Sequence, residues 1–456
     1  MENQNNQVTQ QPKIDVSLAI EARWVAPVTQ NTRLLENTSV ILKQGVIVDI
    51  LPTVEASSKY NPHTTIKLDE HILIPGLINK HSHAAMNLMR GIADDLALMT
   101  WLNEHIWPLE AQTLSERFVY DGALLGCAEM LKGGITCFND MYFFPEATAQ
   151  AATKAGMRAQ IGLTVIDFPS PYASDADDYL LKGLNARDQW RGNSLISSCI
   201  APHAPYTISN QTFEKVMTYA EQLGLGVHTH LHETQDEIVQ SNQQFGVRPI
   251  KRLADLGVLG PSLVAAHCVH MNDEDMQLMQ DYSCHIAHCP TSNLKLASGI
   301  APVANMLSRN INIGLGTDGA ASNNRIDMFA EMRLAALLSK GSSGDATAVP
   351  AEQALEMATI NGARALGLDS QIGSIEIGKL GDLTAVKLTD IETMPCYDPI
   401  SHLVYAAGRE HVTHVWVQGE LKYQRTDAYD GVFANIEPAE LKEIINLWQP
   451  KLNQFK

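Results

Sequence analysis

The sequence predicts an α/β fold: a (β/α)8 TIM-like barrel carrying a small composite β-sandwich domain formed from both chain ends. Three observations predict it. Between about Pro75 and Leu368, eight short apolar runs alternate with helical stretches of ten or more residues, the rhythm of βα units that feed a parallel sheet. Most of these runs finish on side chains able to do chemistry, as expected where catalytic groups project from the C-terminal ends of barrel strands. Similar β-rich runs stand before and after this middle region. An open doubly wound sheet is the main rival, but no Gly-rich phosphate loop follows the first run.

Taken in order, Met1 to Pro12 is rich in Asn and Gln and has neither a basic nor an apolar leader region; a flexible tail on a chain that is not exported is expected. Val16 to Ile20, Ser39 to Leu42 and Gly45 to Leu51 then read as strands separated by Gly, Asn and Pro. Barrel strands are expected to begin at Pro75, Gly134, Ala159, Ser197, Gly226, Leu263, His285 and Ile311. They run toward His81 and His83, Asn139 and Asp140, His203, His230, His267, His288 and Asp318. Between them, a helix is expected from Leu114 to Lys132, stopped by Gly133-Gly134. A second should run from Ser209 to Leu223, with a Ser cap and a halt before Gly224, and a third, apolar and buried, from Met328 to Leu338. Strands return in Asp382 to Leu388 and Val412 to Tyr423, so the two ends are expected to share one domain. A last helix, Glu437 to Trp448, begins behind Pro438 and should pack against a surface. The expected division is a tail at 1–12, a composite β domain from 13–74 plus 369–425, the barrel at 75–368 and a helical extension at 426–456.

Composition narrows the function. The chain has 456 residues, 45% apolar and 18% charged, enough for one large core and a smaller one. A net charge of -18 and the lack of a Lys/Arg cluster exclude nucleic acid and anionic membranes as partners. The seven cysteines are scattered and form no Cys-x-x-Cys pair, the usage of a reducing cytoplasm. No apolar run approaches the roughly 18 residues that span a bilayer. A soluble cytoplasmic protein is expected.

Four motifs carry the chemistry. His81-Ser82-His83 follows the first apolar run, and residues two apart on a strand share a face, so both imidazoles can reach one ion. Val227-His228-Thr229-His230-Leu231-His232-Glu233 places three alternating histidines on one side of a predicted strand with an acid beyond. His230 is the best ligand among them, since Glu233 then follows close enough to reach a water on the ion. Gly314-Leu315-Gly316-Thr317-Asp318-Gly319 ends a strand on an aspartate bracketed by glycines. Ala265-Ala266-His267-Cys268 caps another strand with a histidine. Singly each is an ordinary turn or hydrogen-bonded residue; jointly, three histidines and an aspartate form the ligand set of a hydrolytic metal site with an open position for water. Glu233 is then the separate carboxylate that moves protons. No lysine stands where a bridging carbamate would need one, and few ligands are spare for a second ion.

These motifs, Pro75-Gly-Leu-Ile-Asn-Lys-His-Ser-His83, His230-Leu-His-Glu233, His267 and Gly316-Thr-Asp318-Gly-Ala-Ala-Ser-Asn323, resemble the amidohydrolase superfamily. Within it the chain is similar to the branch of 5′-methylthioadenosine/S-adenosylhomocysteine deaminases and triazine hydrolases. The resemblance runs from about residue 15 to 425, with Gly373-Ser-Ile-Glu-Ile-Gly-Lys-Leu-Gly-Asp-Leu marking the return to the β domain. It implies one divalent ion, zinc, on His81, His83, His230 and Asp318. Glu233 would protonate the ring nitrogen beside the attacked carbon, Asp318 would take the proton of the attacking water, and His267 would orient it. The implied reaction is hydrolytic deamination at C6 of an adenine nucleoside, releasing ammonia, and the implied assembly is a homo-oligomer.

By the same resemblance, Glu110 in Trp107-Pro-Leu-Glu110 matches the acid that binds ribose hydroxyls, although its local pattern alone reads as a solvated helix residue. His203 in Ala201-Pro-His-Ala-Pro-Tyr-Thr207 matches a nucleoside contact. His288 faces the same mouth without an assigned role, as do Asn139 and Asp140. Leu98, Trp101 and Met89 are candidates for an apolar 5′ pocket or for simple packing. One departure bears on substrate choice. Members that accept S-adenosylhomocysteine hold its carboxylate with arginines near and after the third strand; here that position falls on Leu163, and Val165 to Leu181 contains no Arg or Lys. A preference for 5′-methylthioadenosine is expected, because an unpaired buried carboxylate is costly. The alternatives are an aminohydrolase or chlorohydrolase of another N-heterocycle (guanine, pterin or triazine), and a catalytically silent binding relative.

Overall fold

A computed structural model describes residues 13–31, 33–426 and 431–455; the tail expected at 1–12 lies outside the described residues. Eight strands form one parallel sheet in chain order: Leu77–Ser82, Ile135–Tyr142, Arg158–Val165, Ile196–Pro202, Gly226–Leu231, Leu263–His267, His285–His288 and Asn312–Leu315. Each begins within two residues of its expected start. Arg158–Val165 is buried along its whole length, which is why its apolar residues run without polar alternation.

The first and last strands meet through side chains and loops. Asn79 Nδ2 donates to Thr317 Oγ1 at 2.8 Å, Thr317 N–H donates to Asn79 Oδ1 at 3.0 Å, and Asp318 N–H donates to His81 O at 3.0 Å. Gly316 makes this approach possible: a Cβ there would stand 2.9 Å from both the Cβ and the N of His81.

The chain ends build a second sheet of eight strands. Its order is Val432–Phe433, Glu420–Gln424, Val412–Val417, Leu383–Lys387, Tyr60–Pro75, Ile14–Val25, Leu35–Lys43 and Val46–Pro52. The two ends join where Leu383 pairs with Pro75 and Thr384 with Ile74 in antiparallel register. Pro75 then passes through Gly76 directly into the first barrel strand. A buried ion pair ties the sheets together: Arg158 Nε donates to Asp382 Oδ2 at 3.0 Å, and Arg158 Nη1 to Ser194 O at 3.1 Å.

The helices follow their caps. Glu116–Lys132 starts two residues later than expected because the Ser115 side chain accepts from Phe118 N–H. Asn210–Leu223 is capped by Ser209 and stopped by left-handed Gly224. Met328–Ser343 runs a turn beyond the expected Leu338, to the left-handed Gly344, and Leu337 is half exposed rather than buried. Pro438–Leu452 likewise extends past Trp448, whose indole N–H donates to Asp121 Oδ2 at 2.8 Å while its ring packs edge-on against Phe118. No helix among the described residues is long and apolar enough to cross a membrane.

Candidate active site

The C-terminal strand ends bring the motif residues into one cluster. Ring nitrogens of His81, His230 and His267 lie within 4.8 Å of one another, and so do ligand atoms of His81, His83 and Asp318. Asp318 Oδ1 stands 3.4 Å from His81 Nε2 and 3.1 Å from His83 Nε2. His267, expected to orient water, thus stands inside the imidazole cluster itself. Several of these residues occupy left-handed backbone, with φ of 61° at Asp318, 73° at His267 and 54° at His232, strain of the kind that collects at functional sites.

Each imidazole has one nitrogen tied from behind. His83 Nδ1 bonds Met141 O, His230 Nδ1 bonds His203 O at 2.7 Å, His267 Nδ1 bonds Asn293 Oδ1 at 2.8 Å, and His81 Nδ1 shares a proton with His228 Nε2 at 2.9 Å. Such ties fix ring orientation and leave the other nitrogen free to ligate. Asp318 Oδ2 accepts from Ser292 Oγ at 2.7 Å and Ser322 Oγ at 2.9 Å, while Gly319 N–H donates to Oδ1 at 2.8 Å.

The donor set fits a divalent cation. His81 Nε2 is buried with no hydrogen-bond partner and lies 3.4 Å from Asp318 Oδ1. Burial holds the His81 ring at about 4, hence neutral. Burial opposes charge on His83 too, but the hydrogen bond and charge of Asp318 outweigh it and lift the ring to about 9. Burial alone would raise Asp318, yet the two histidines hold it well below the carboxylate range. These buried atoms favour a positive charge beside the carboxylate. An ion bound by neutral imidazoles and a carboxylate supplies it.

One cavity joins this cluster to the remaining candidates, for His83, Glu110, His203, His230, Glu233, His267 and Asp318 all line it. Glu233 Oε2 is 3.7 Å from His267 Nε2, and Ser298 Oγ donates to its Oε1 at 3.4 Å. Burial raises the Glu233 carboxyl above its usual range, against the pull of His267. Its backbone is pinned by Glu237, whose two oxygens accept from the N–H groups of His232 and Glu233, both at 2.9 Å. Glu110 is buried rather than solvated: Tyr142 Oη donates to it at 2.6 Å, and burial lifts it to about 7. His203 bonds Thr207 Oγ1 through Nδ1 at 3.1 Å and is held neutral, at about 3, by burial.

Four expectations are corrected. His232 does not share the face of His228 and His230, because the strand ends at Leu231 and the left-handed turn sends its ring to accept from Ile250 N–H at 3.1 Å. His288 is buried and does not line the cavity. Leu98 and Trp101 line it, whereas Met89 is core. Leu163 faces outward onto Gly183, a Cβ on which would stand 3.1 Å from the Leu163 Cβ; Thr164 and Ile166 line the cavity in its place. Among the described residues, no Arg or Lys lines the cavity. Asn139 and Asp140 gain supporting roles: Asn139 Nδ2 donates to Lys80 O at 3.0 Å and to His228 Nδ1 at 3.1 Å, and Asp140 Oδ1 accepts from Ala84 N–H at 2.7 Å. Ser322 belongs to the motif that follows Asp318, whereas Ser292 and Asn293 in the short helix Pro290–Lys295, Ser298 in the loop after it and Tyr142 at a strand end are lone polar residues without a sequence signal.

Residues 72–422 match the sequence model of the amidohydrolase family. The chain is 48% identical to a 5-methylthioadenosine/S-adenosylhomocysteine deaminase of Teredinibacter turnerae, over 91% of this chain and 93% of that one. It is 41% identical to a 5′-deoxyadenosine deaminase of Methanosarcina acetivorans, over 89% and 92%. Among solved structures, the zinc-bound crystal structure of an adenosine deaminase from Xanthomonas campestris superposes with a TM-score of 0.94 at 43% identity, covering 97% of this chain and all of the other. A zinc-complexed atrazine chlorohydrolase from Arthrobacter aurescens shares the fold, with a TM-score of 0.86 at 23% identity over 95% and 99% of the two chains.

Proposed function

The chain belongs to the amidohydrolase family, and on that premise we propose that it is a metal-dependent deaminase of adenine nucleosides, converting 5′-methylthioadenosine to 5′-methylthioinosine and ammonia. One observation carries this reading. A single cavity presents Glu233 and the histidine–aspartate cluster together with Glu110 and His203, and walls the remainder with Leu98, Trp101, Ile106 and Ile166.

His81, His83, His230 and Asp318 would hold one divalent ion, zinc as in the two solved structures, which as a Lewis acid lowers the pKa of water to about 7. The chain's own groups do the rest. Asp318, steadied by Ser292 and Ser322, accepts a proton from the attacking water. His267, held by Asn293, orients the attacking oxygen toward C6. Glu233 keeps its proton more readily than an exposed acid does, and donates it to N1 as the C6–O bond forms. The proton taken by Asp318 then passes to the amino group, the remaining hydroxyl proton on the C6 oxygen returns to Glu233 as the C6=O bond forms, the C6–N bond breaks, and ammonia leaves. Glu110 accepts from the ribose hydroxyls and His203 contacts the nucleoside. All described cysteines are unpaired, which supports a reducing cytoplasmic setting.

The cationless wall sets the 5′ preference. The carboxylate of S-adenosylhomocysteine would lie against apolar side chains without a guanidinium, so its kcat/KM should fall at least about tenfold below that of 5′-methylthioadenosine, roughly 1.4 kcal/mol. A purine nucleoside panel followed by the ultraviolet change from adenine to hypoxanthine measures both. Equal values, or a higher one for the charged compound, would defeat the proposed preference; no turnover of any adenine nucleoside would defeat the activity.

A further inference from the structure

A second cavity, of about 510 Å3, opens at the other end of the barrel, where strands begin and helices finish. Arg187 lines it from the last turn of Ala176–Gln189, Arg191 follows that helix, and Arg364 comes from the end of Ile360–Ala365. The lining contains these three arginines and no Asp or Glu. In a chain with 51 acids against 33 bases, a cavity free of carboxylates stands against the overall charge, whose field repels anions from most of the surface.

The guanidiniums are largely uncommitted. Arg191 makes no side-chain hydrogen bond or ion pair among the described residues. Arg187 Nη1 lies 3.6 Å from Asp188 Oδ1, and Arg364 Nη1 donates once, to Asn361 Oδ1 at 2.9 Å. Each guanidinium carries five donors, so most remain unspent. Gln160 adds a polar group to the same cavity from the third barrel strand, and its amide, with no hydrogen-bond partner among the described residues, is accessible from the cavity. Trp190 supplies an apolar wall held in place by its N–H bond to Ser198 Oγ at 3.0 Å.

We propose that this cavity is a binding site for a phosphorylated small molecule of nucleotide size, distinct from the deaminase centre. Guanidinium forks match phosphate oxygens bidentately, and a phosphoryl group of charge near −2 calls for more than one of them. The volume falls within the range of small-ligand pockets and leaves room beyond the phosphoryl group for an organic body against Trp190.

The test is calorimetric titration of the metal-loaded chain with inosine monophosphate and with inorganic phosphate, together with hydrogen exchange. Inosine monophosphate should bind with a submillimolar Kd, and binding should weaken as salt is raised. The double variant Arg187→Gln/Arg364→Gln should weaken it at least about tenfold. Arg191→Gln, at an exposed residue with no partners to lose, should weaken it without affecting the fold. Glu110→Ala should leave it unchanged, which separates this site from the nucleoside cavity. Protection should appear at 187–198 and 361–367. Inorganic phosphate binding with the same arginine dependence would support the proposal. No binding of either compound at about 10 mM, affinity indifferent to the arginines, or protection confined to the nucleoside cavity would overturn it.

Discussion

Glu233 and Glu110 are two buried carboxyls in one cavity with different surroundings, and the differences predict different defects. Glu233 faces His267 and under the proposed function moves protons, so Glu233→Gln should retain metal and lose about 10²- to 10⁴-fold in kcat. Metal analysis beside ammonia release checks this, and a variant with normal turnover would remove the proton-shuttle assignment. Glu110 is a binding group in the proposed function; burial raises it to about 7 against the opposing pull of Tyr142 and His83. Above pH 7 it is a carboxylate that accepts from ribose hydroxyls; below pH 7 it is a neutral carboxyl and a poorer acceptor. KM should therefore rise by up to about tenfold per unit as pH falls below 7, with kcat changing less, and Glu110→Gln should flatten the dependence. A pH-independent KM in the unmodified chain would count against it. Burial is what the sequence hid here. Local pattern places Glu110 on a solvated helix face, and the wall that covers it, with Tyr142 at the end of the second strand and Phe143 just beyond, is distant in the chain.

At the scale of elements, the strand ends were legible because parallel barrel strands are apolar throughout and stop where polar groups begin. Every barrel strand started within two residues of expectation. What stayed hidden was how the pieces close on one another, since register across a barrel is set by backbone approach. Gly316 shows the consequence. Any side chain there meets His81 backbone and Cβ within about 3 Å, so Gly316→Ala must displace His81, a ligand in the proposed site. Metal affinity should fall about 10- to 100-fold, the usual result of disturbing a ligand's support. A zinc competition titration reads this directly, and unchanged affinity would show that the close approach is not needed. Asp318 and His267 were legible as site residues, but their left-handed backbone was not, because even residue types enriched at positive φ adopt it in only a minority of cases.

At the scale of the whole molecule, chain ends and barrel form one support for the site. The strand Tyr60–Pro75 leaves the terminal sheet and becomes the strand that carries His81 and His83, and Arg158–Asp382 locks the two sheets at the barrel's base. The joining of the ends could be suspected from matching β-rich composition; the pairing of Leu383 with Pro75 needed coordinates. The proposed chemistry rests on one cation shared by four side chains of this assembly. The direct measurement is to strip the purified protein with a chelator and restore zinc stepwise while following deamination of 5′-methylthioadenosine. Activity should be absent from the stripped chain, rise linearly, and reach its full value at one ion per chain. Full turnover without metal, or a break at two ions per chain, would contradict the account.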